Sequence, residues 1–225
     1  MACGEAALSA SFAILQRVRE SLAIARLPRP PMPTASGLPE IVDSLAVFRD
    51  AVNALGGRVF SPEPDAVVGL IVERARNAGA GDLMAWDDLP IPGMADAFAR
   101  AGMRVLDAVL PVEASGRTER LALLEGAAVG LTGAEVGIAE TGSLVLASGE
   151  RRSRLAWLLP PCHIALLSRT RVLPTLESVF VAHPNLCVGS AEVALIAGPS
   201  RTADIELTLT RGVHGPRELE IILLP

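Results

Sequence analysis

The chain has 225 residues and carries 20 basic against 25 acidic side chains, a formal net charge of −5. Every basic residue is arginine, tyrosine is absent and aromatics make up only 3% of the chain. Schiff-base lysine and Walker lysine chemistry are therefore excluded, and general nucleic-acid binding lacks both the basic face and the stacking aromatics it needs.

Half of the residues are apolar, yet charges interrupt every apolar run. No segment reaches the ~18 uninterrupted residues of a membrane helix. Cys3, Cys162 and Cys187 are scattered and odd in number. That predicts no disulfide framework and fits a reducing cytoplasm. The first residues lack a basic stretch ahead of an apolar core, so no secretory leader is expected. The length suits one large domain.

In chain order, residues 9–26 read as a helix, because Phe12, Leu15, Val18, Leu22 and Ala25 recur at spacings of three and four. The proline run at residues 28–33 stops it and favours an extended connector. Residues 1–35 are thus expected to form a helical arm with a proline-rich connector. The arm either packs back on the domain or docks onto a partner. Residues 36–225 are expected to form a single α/β domain.

Within that domain, helices are predicted over 41–55, 63–78 and 94–101. They alternate with short strands at 58–60, 82–86 and 103–106, and glycines end each helix. Such units imply a layered α/β domain with a mostly parallel or mixed sheet. Further helices are predicted at 119–127, 152–158 and 174–181, the last with Pro174 in its first turn. Further strands are predicted at 134–139, 144–147, 164–167, 191–197 and 219–224.

Two polar stretches stand out. In Glu140-Thr141-Gly142-Ser143, glycine permits a turn, and hydroxyls with successive N–H groups can make an anion-binding concavity. The plain alternative is a tight turn with a solvated glutamate. The second stretch is Gly198-Pro199-Ser200 through Glu206, followed by Gly212-Val213-His214-Gly215-Pro216. Ser200 fits a helix cap, whereas Ile205, Leu207 and Leu209 alternate with Asp204, Glu206 and Thr208 as a strand would. Both readings stay open. Asp204, Glu206 and His214 are candidates for acid–base work, but their spacing matches no metal signature.

Arg151, Arg152 and Arg154 form a cluster whose guanidinium forks suit carboxylate or phosphate. A solvated charge cluster is the competing reading for at least two of them. His163 follows Pro160-Pro161-Cys162 at the start of an apolar strand, where a structural histidine is the commoner case. Cys162 reads as a small buried residue.

The segment Ile138 to Leu146, the segment Leu159 to Ala165, and the stretches 198–206 and 212–216 together resemble the LUD-domain family, within it the lactate utilization protein C subgroup. The order and spacing of the motifs carry the resemblance, most strongly over residues 118–225. It implies a fold similar to the NagB/RpiA/CoA-transferase group and a role in oxidising L-lactate to pyruvate beside iron–sulfur partner proteins. Three scattered cysteines cannot hold a four-cysteine cluster, and no Gly-x-Gly-x-x-Gly fingerprint is present. No cofactor is therefore expected in this chain, and iron–sulfur clusters are expected only in the partners.

The expected function is a cluster-free component of a lactate utilization system that binds a small carboxylate or other anion. The expected ligand-binding residues are Thr141, Gly142, Ser143, Arg154, His163, Ser200, Thr202, Asp204 and Glu206, with Glu140 and His214 as candidate catalytic groups. The alternative is a stand-alone enzyme of CoA-transferase or sugar-phosphate-isomerase type using Glu140 as base or nucleophile. A scaffold whose polar loops are structural is a third reading.

Overall fold

The computed structural model describes residues 12–22, 43–89, 91–111, 113–203, 209–212 and 214–225. The chain divides into two units, Met1–Thr34 and Ala35–Pro225. In the first, residues 12–22 form helix α1. A Gln16–Glu20 hydrogen bond of 3.1 Å spans one of its turns.

The second unit is built on six short strands that all run parallel. They are β1 (Arg58–Phe60), β2 (Asp82–Ala85), β3 (Arg104–Leu106), β4 (Val129–Gly133), β7 (Cys162–Ser168) and β12 (Glu218–Leu224), in the order β1-β12-β7-β4-β2-β3. Strands β7 and β12 are near-continuous apolar runs, as a sheet covered on both faces requires. On one face, helices α3 (Val67–Asn77) and α4 (Met94–Arg100) bury Val67, Ile71 and Phe98 against Leu83, Ile164 and Ile222.

A second sheet covers the other face, in the order β8-β5-β6-β9. Its strands are β5 (Val136–Ile138), β6 (Ser143–Ser148), β8 (Val172–Leu173) and β9 (Glu192–Ile196). Leu144 and Leu146 of this sheet share a core with Ala165, Leu167, Ile221 and Leu223. Helix α2 (Ser44–Ala54) adds Phe48 and Val52 to that core. Asp43 caps α2 by accepting the Ala46 N–H at 2.9 Å. Helix α7 (Leu176–Ala182) packs Val179 on the second sheet's remaining face, with Val136, Ile138 and Val145.

Several elements differ from the sequence expectation. Strand β4 is not foreseen, because Gly130, Thr132 and Gly133 interrupt its apolar pattern. Gly130 is required there. A Cβ on it would lie 1.6 Å from the carbonyl oxygen of Ala156, so the short helix α6 (Leu155–Leu158) rests directly on the strand's backbone. Helix α5 (Ala114–Glu125) begins five residues before the predicted 119. Pro174 precedes the cap of α7 and does not lie in its first turn; Thr175 and Ser178 make a capping box instead. In the stretch left open between helix and strand, β10 (Arg201–Ala203) and β11 (Leu209–Arg211) pair antiparallel. Asp204 and Glu206 lie outside the described residues.

Candidate functional site

The larger of two informative cavities lies where parallel α/β sheets usually take their ligands, beyond the carboxyl ends of the strands. Gly133 and Ala134 after β4, Ser168 at the end of β7 and Leu224 at the end of β12 contribute to it, as does Trp86 just after β2. Its volume is about 610 Å³, within the range of ligand pockets.

Its charged residues converge. Arg152 donates from Nε to Asp88 at 2.7 Å and from a terminal nitrogen to Glu135. Arg171 reaches the other oxygen of Glu135 at 3.4 Å. The Arg152 guanidinium also sits 5.2 Å from the centre of the Trp86 ring, a cation–π distance. Trp86 is held in turn by its indole N–H, which donates to the Ser153 carbonyl at 3.1 Å. Burial alone would lower the basicity of Arg152, but its bonds to Asp88 and Glu135 outweigh that and raise its pKa. The result is a fixed guanidinium pair braced by one glutamate. Arginine has five N–H donors in a planar fork. The bonds described for Arg152 use Nε and one terminal nitrogen, which leaves donors of the other for a guest.

The arginine cluster therefore splits by role. Arg152 belongs to the crevice, Arg151 makes an exposed pair with Asp87 at 3.5 Å, and Arg154 an exposed pair with Glu192 at 3.0 Å. Sequence reasoning singled out Arg154 for ligand binding and missed Trp86, Asp88, Glu135, Ser168 and Arg171. The available signal was the strand-end rule. It could not be applied to Glu135, because with β4 unseen that residue fell inside the strand predicted over 134–139.

The second cavity, of about 270 Å³, does gather residues from the polar stretches. His163, Ser200 and His214 all line it, together with Glu192, the partner of Arg154. Two backbone bonds bring the two turns together: Ser200 N–H donates to Pro216 O at 2.8 Å, and Gly212 N–H to Ser200 O at 3.0 Å. Gly198 and Gly212 both have φ of +78°, a left-handed conformation that glycine adopts without strain. His163 is 1% exposed. Its Nε2 lies 2.8 Å from Thr132 Oγ1, and its Nδ1 has no hydrogen-bond partner among the described residues. Burial lowers its pKa to about 3, so the ring is neutral near pH 7. The backbone of Thr202 lies in β10, and its side chain is outside the described residues.

Glu140, Thr141, Gly142 and Ser143 line neither cavity. They form the β5–β6 turn. Glu140 accepts the N–H of Leu176 at 3.0 Å, the first residue of α7, where a carboxylate also opposes the positive end of the helix. Thr141 bonds Ser143 at 2.8 Å. Gly142 has φ of +62°, and a Cβ there would lie 2.6 Å from the Val52 nitrogen. Each polar or glycine feature of this turn thus has a structural job in joining β5, β6, α2 and α7.

Among the described residues, one group has donor atoms close enough to hold a metal, namely Cys162, Glu218 and Glu220, within 4.8 Å of one another. Its carboxylates are already paired. Arg58 bonds both glutamates and Arg74 forks onto Glu220. Burial first, then Glu220 and Glu218, pushes the Cys162 thiol up to about 12. A protonated thiol beside two arginine-bound carboxylates is an ion-pair network, not a cation site.

Fold and crevice together define a parallel α/β domain with a ligand-sized, arginine-bearing opening at its strand ends. The model of the LUD domain matches residues 45–224, and the chain belongs to that family. It is 30% identical over 203 residues to lactate utilization protein C of Macrococcus caseolyticus, covering 87% of this chain and 84% of that one. It is 34% identical over 110 residues to lactate utilization protein C of Bacillus subtilis, covering 47% of this chain and 46% of that one. Among solved structures, a DUF162 family protein from Deinococcus radiodurans superposes with a TM-score of 0.61 at 20% identity. That match covers 82% of this chain and 98% of the other, and shares the fold.

Proposed function

We propose that the chain is a cluster-free component of a lactate utilization system whose crevice binds a small carboxylate of 2-hydroxy- or 2-oxo-acid size. The observation that carries this reading is the convergence of Arg152 and Arg171 on Glu135 at the strand ends. Arginine forks match carboxylates bidentately, and the bracing by Glu135 and Asp88 fixes the fork before a guest arrives. The names of the curated relatives support the metabolic setting. Electron transfer belongs in this reading to iron–sulfur partners, because three scattered cysteines cannot ligate a four-cysteine cluster. The setting is cytoplasmic.

Calorimetric titration with L-lactate and with pyruvate tests the site. Arg152→Met is expected to weaken binding by about tenfold to a hundredfold, the ~1.5–3 kcal/mol of a hydrogen bond to a charged group. Deletion of the gene should impair growth on L-lactate, with Arg152→Met failing to restore it. Normal growth of the deletion strain, with no redundant copy, would sink the metabolic role. Unchanged titrations in the variant would sink the crevice.

A further inference from the structure

The cavity at His163 differs in chemistry from the crevice. Trp157, Ile196, Pro216 and Leu219 make its walls mostly apolar. At about 270 Å³ it falls just below the usual range for drug-sized ligands and suits a single ring or a short chain. None of its described lining residues is an arginine, and the carboxylate on its wall, Glu192, is bonded by Arg154. Two turns that contribute to its wall, on either side of the β10–β11 hairpin, are tied by backbone bonds, so it is a built feature of the fold.

His163 is the decisive wall residue. Thr132 occupies one ring nitrogen; the other has no described partner and is itself shielded from solvent, so a guest reaches it with a small shift of the wall. A buried polar atom without a partner carries a desolvation cost that a matching group would remove. We propose that this cavity is a second ligand site, taking an uncharged, ring-sized molecule whose carbonyl, amide or hydroxyl group hydrogen-bonds His163 Nδ1.

Charge decides between neutral and anionic guests. An anion entering here would lose its hydration with no arginine among the described lining residues to offset the loss. The depressed basicity of His163 agrees, since the ring supplies no positive charge near neutral pH. The anion expected at this wall from sequence is better matched by the arginines of the crevice. Whether Nδ1 donates or accepts follows from the direction of the Thr132 bond, so a guest with both kinds of group fits either tautomer.

The test uses ¹⁵N-labelled full-length protein, whose three histidines keep the imidazole spectrum simple. Benzamide, phenol and acetophenone serve as neutral probes, and benzoate as the anion nearly matching benzamide in shape. At least one neutral probe should shift the His163 ring nitrogens saturably, with benzoate binding at least about tenfold more weakly, a difference of ~1.4 kcal/mol. Ser200→Leu, which fills part of the cavity from its wall, should abolish the shift while the backbone amide spectrum stays native. His163 nitrogens unmoved by all three neutral probes, benzoate binding as tightly as benzamide, or a shift that survives Ser200→Leu would each overturn the proposal.

Discussion

His163 links burial to pH at the scale of one residue. Its folded-state pKa of about 3 lies below the ordinary 6.5, so as pH falls the unfolded chain takes up a proton first. The neutral ring carries no penalty above pH 6.5. Below that, stability drops by at most roughly 1.4 kcal/mol per pH unit until the folded-state value is reached. Urea unfolding at pH 7.5 and pH 5.0 should show wild type losing about 2 kcal/mol more than His163→Gln over that interval. Equal losses would mean that the buried ring protonates as readily folded as unfolded. The histidine was visible in the sequence. Its neutrality was not, because burial comes from Thr132 on a neighbouring strand and from the second sheet.

At the scale of elements, the contact between β4 and α6 is the tightest approach at any described glycine. The 1.6 Å separation between a notional Cβ on Gly130 and the Ala156 carbonyl is too short for side-chain rearrangement to relieve, since both partners are backbone. Gly130→Ala should therefore cost about 3 kcal/mol or more, as overpacking does when the surroundings cannot shift. Gly149 has nothing within 4 Å of its Cβ position. Gly149→Ala should stay within ~0.5 kcal/mol of wild type. Urea midpoints of the two variants decide it, and similar midpoints would show that α6 can lift from the strand. The same contact explains why β4 is hard to read. Its glycine is dictated by a helix 26 positions on, and glycine in a sequence reads as punctuation. The Glu140 turn shows the converse case. Its composition suits anion binding, but its partners on α2 and α7 are what its residues serve.

At the scale of the whole molecule, one ion-pair network centred on a buried glutamate joins the sheet to the helical layer. Glu220 on β12 is 2% exposed and accepts both Arg58 of β1 and Arg74 of α3. Arg74 also lies over Phe60 at 5.0 Å. Removing Glu220 leaves the partly buried Arg74 without its carboxylate, while the half-exposed Arg58 keeps Glu218, so Glu220→Gln is expected to cost about 2 kcal/mol. Replacing Glu220 and Arg74 together by methionine should recover much of that loss, because both desolvation penalties go with the charges. A single-variant loss under about 1 kcal/mol would class the network with exposed pairs.

The local elements were legible because their signals are local. Spacings of three and four, glycines after helices and apolar runs at β7 and β12 announced the layered α/β domain, and the motifs from Ile138 to Pro216 announced the family. The scattered cysteines and absent lysines narrowed the chemistry without any coordinates. What only the tertiary structure decided was which polar residues meet. Trp86, Glu135, Arg152 and Arg171 are spread over 86 positions and come together because parallel strands end at one edge. His163, Ser200 and His214 meet through turns that bond each other's backbones. Strand order and register create those meetings, and they depend on long-range pairing that no local window of sequence encodes.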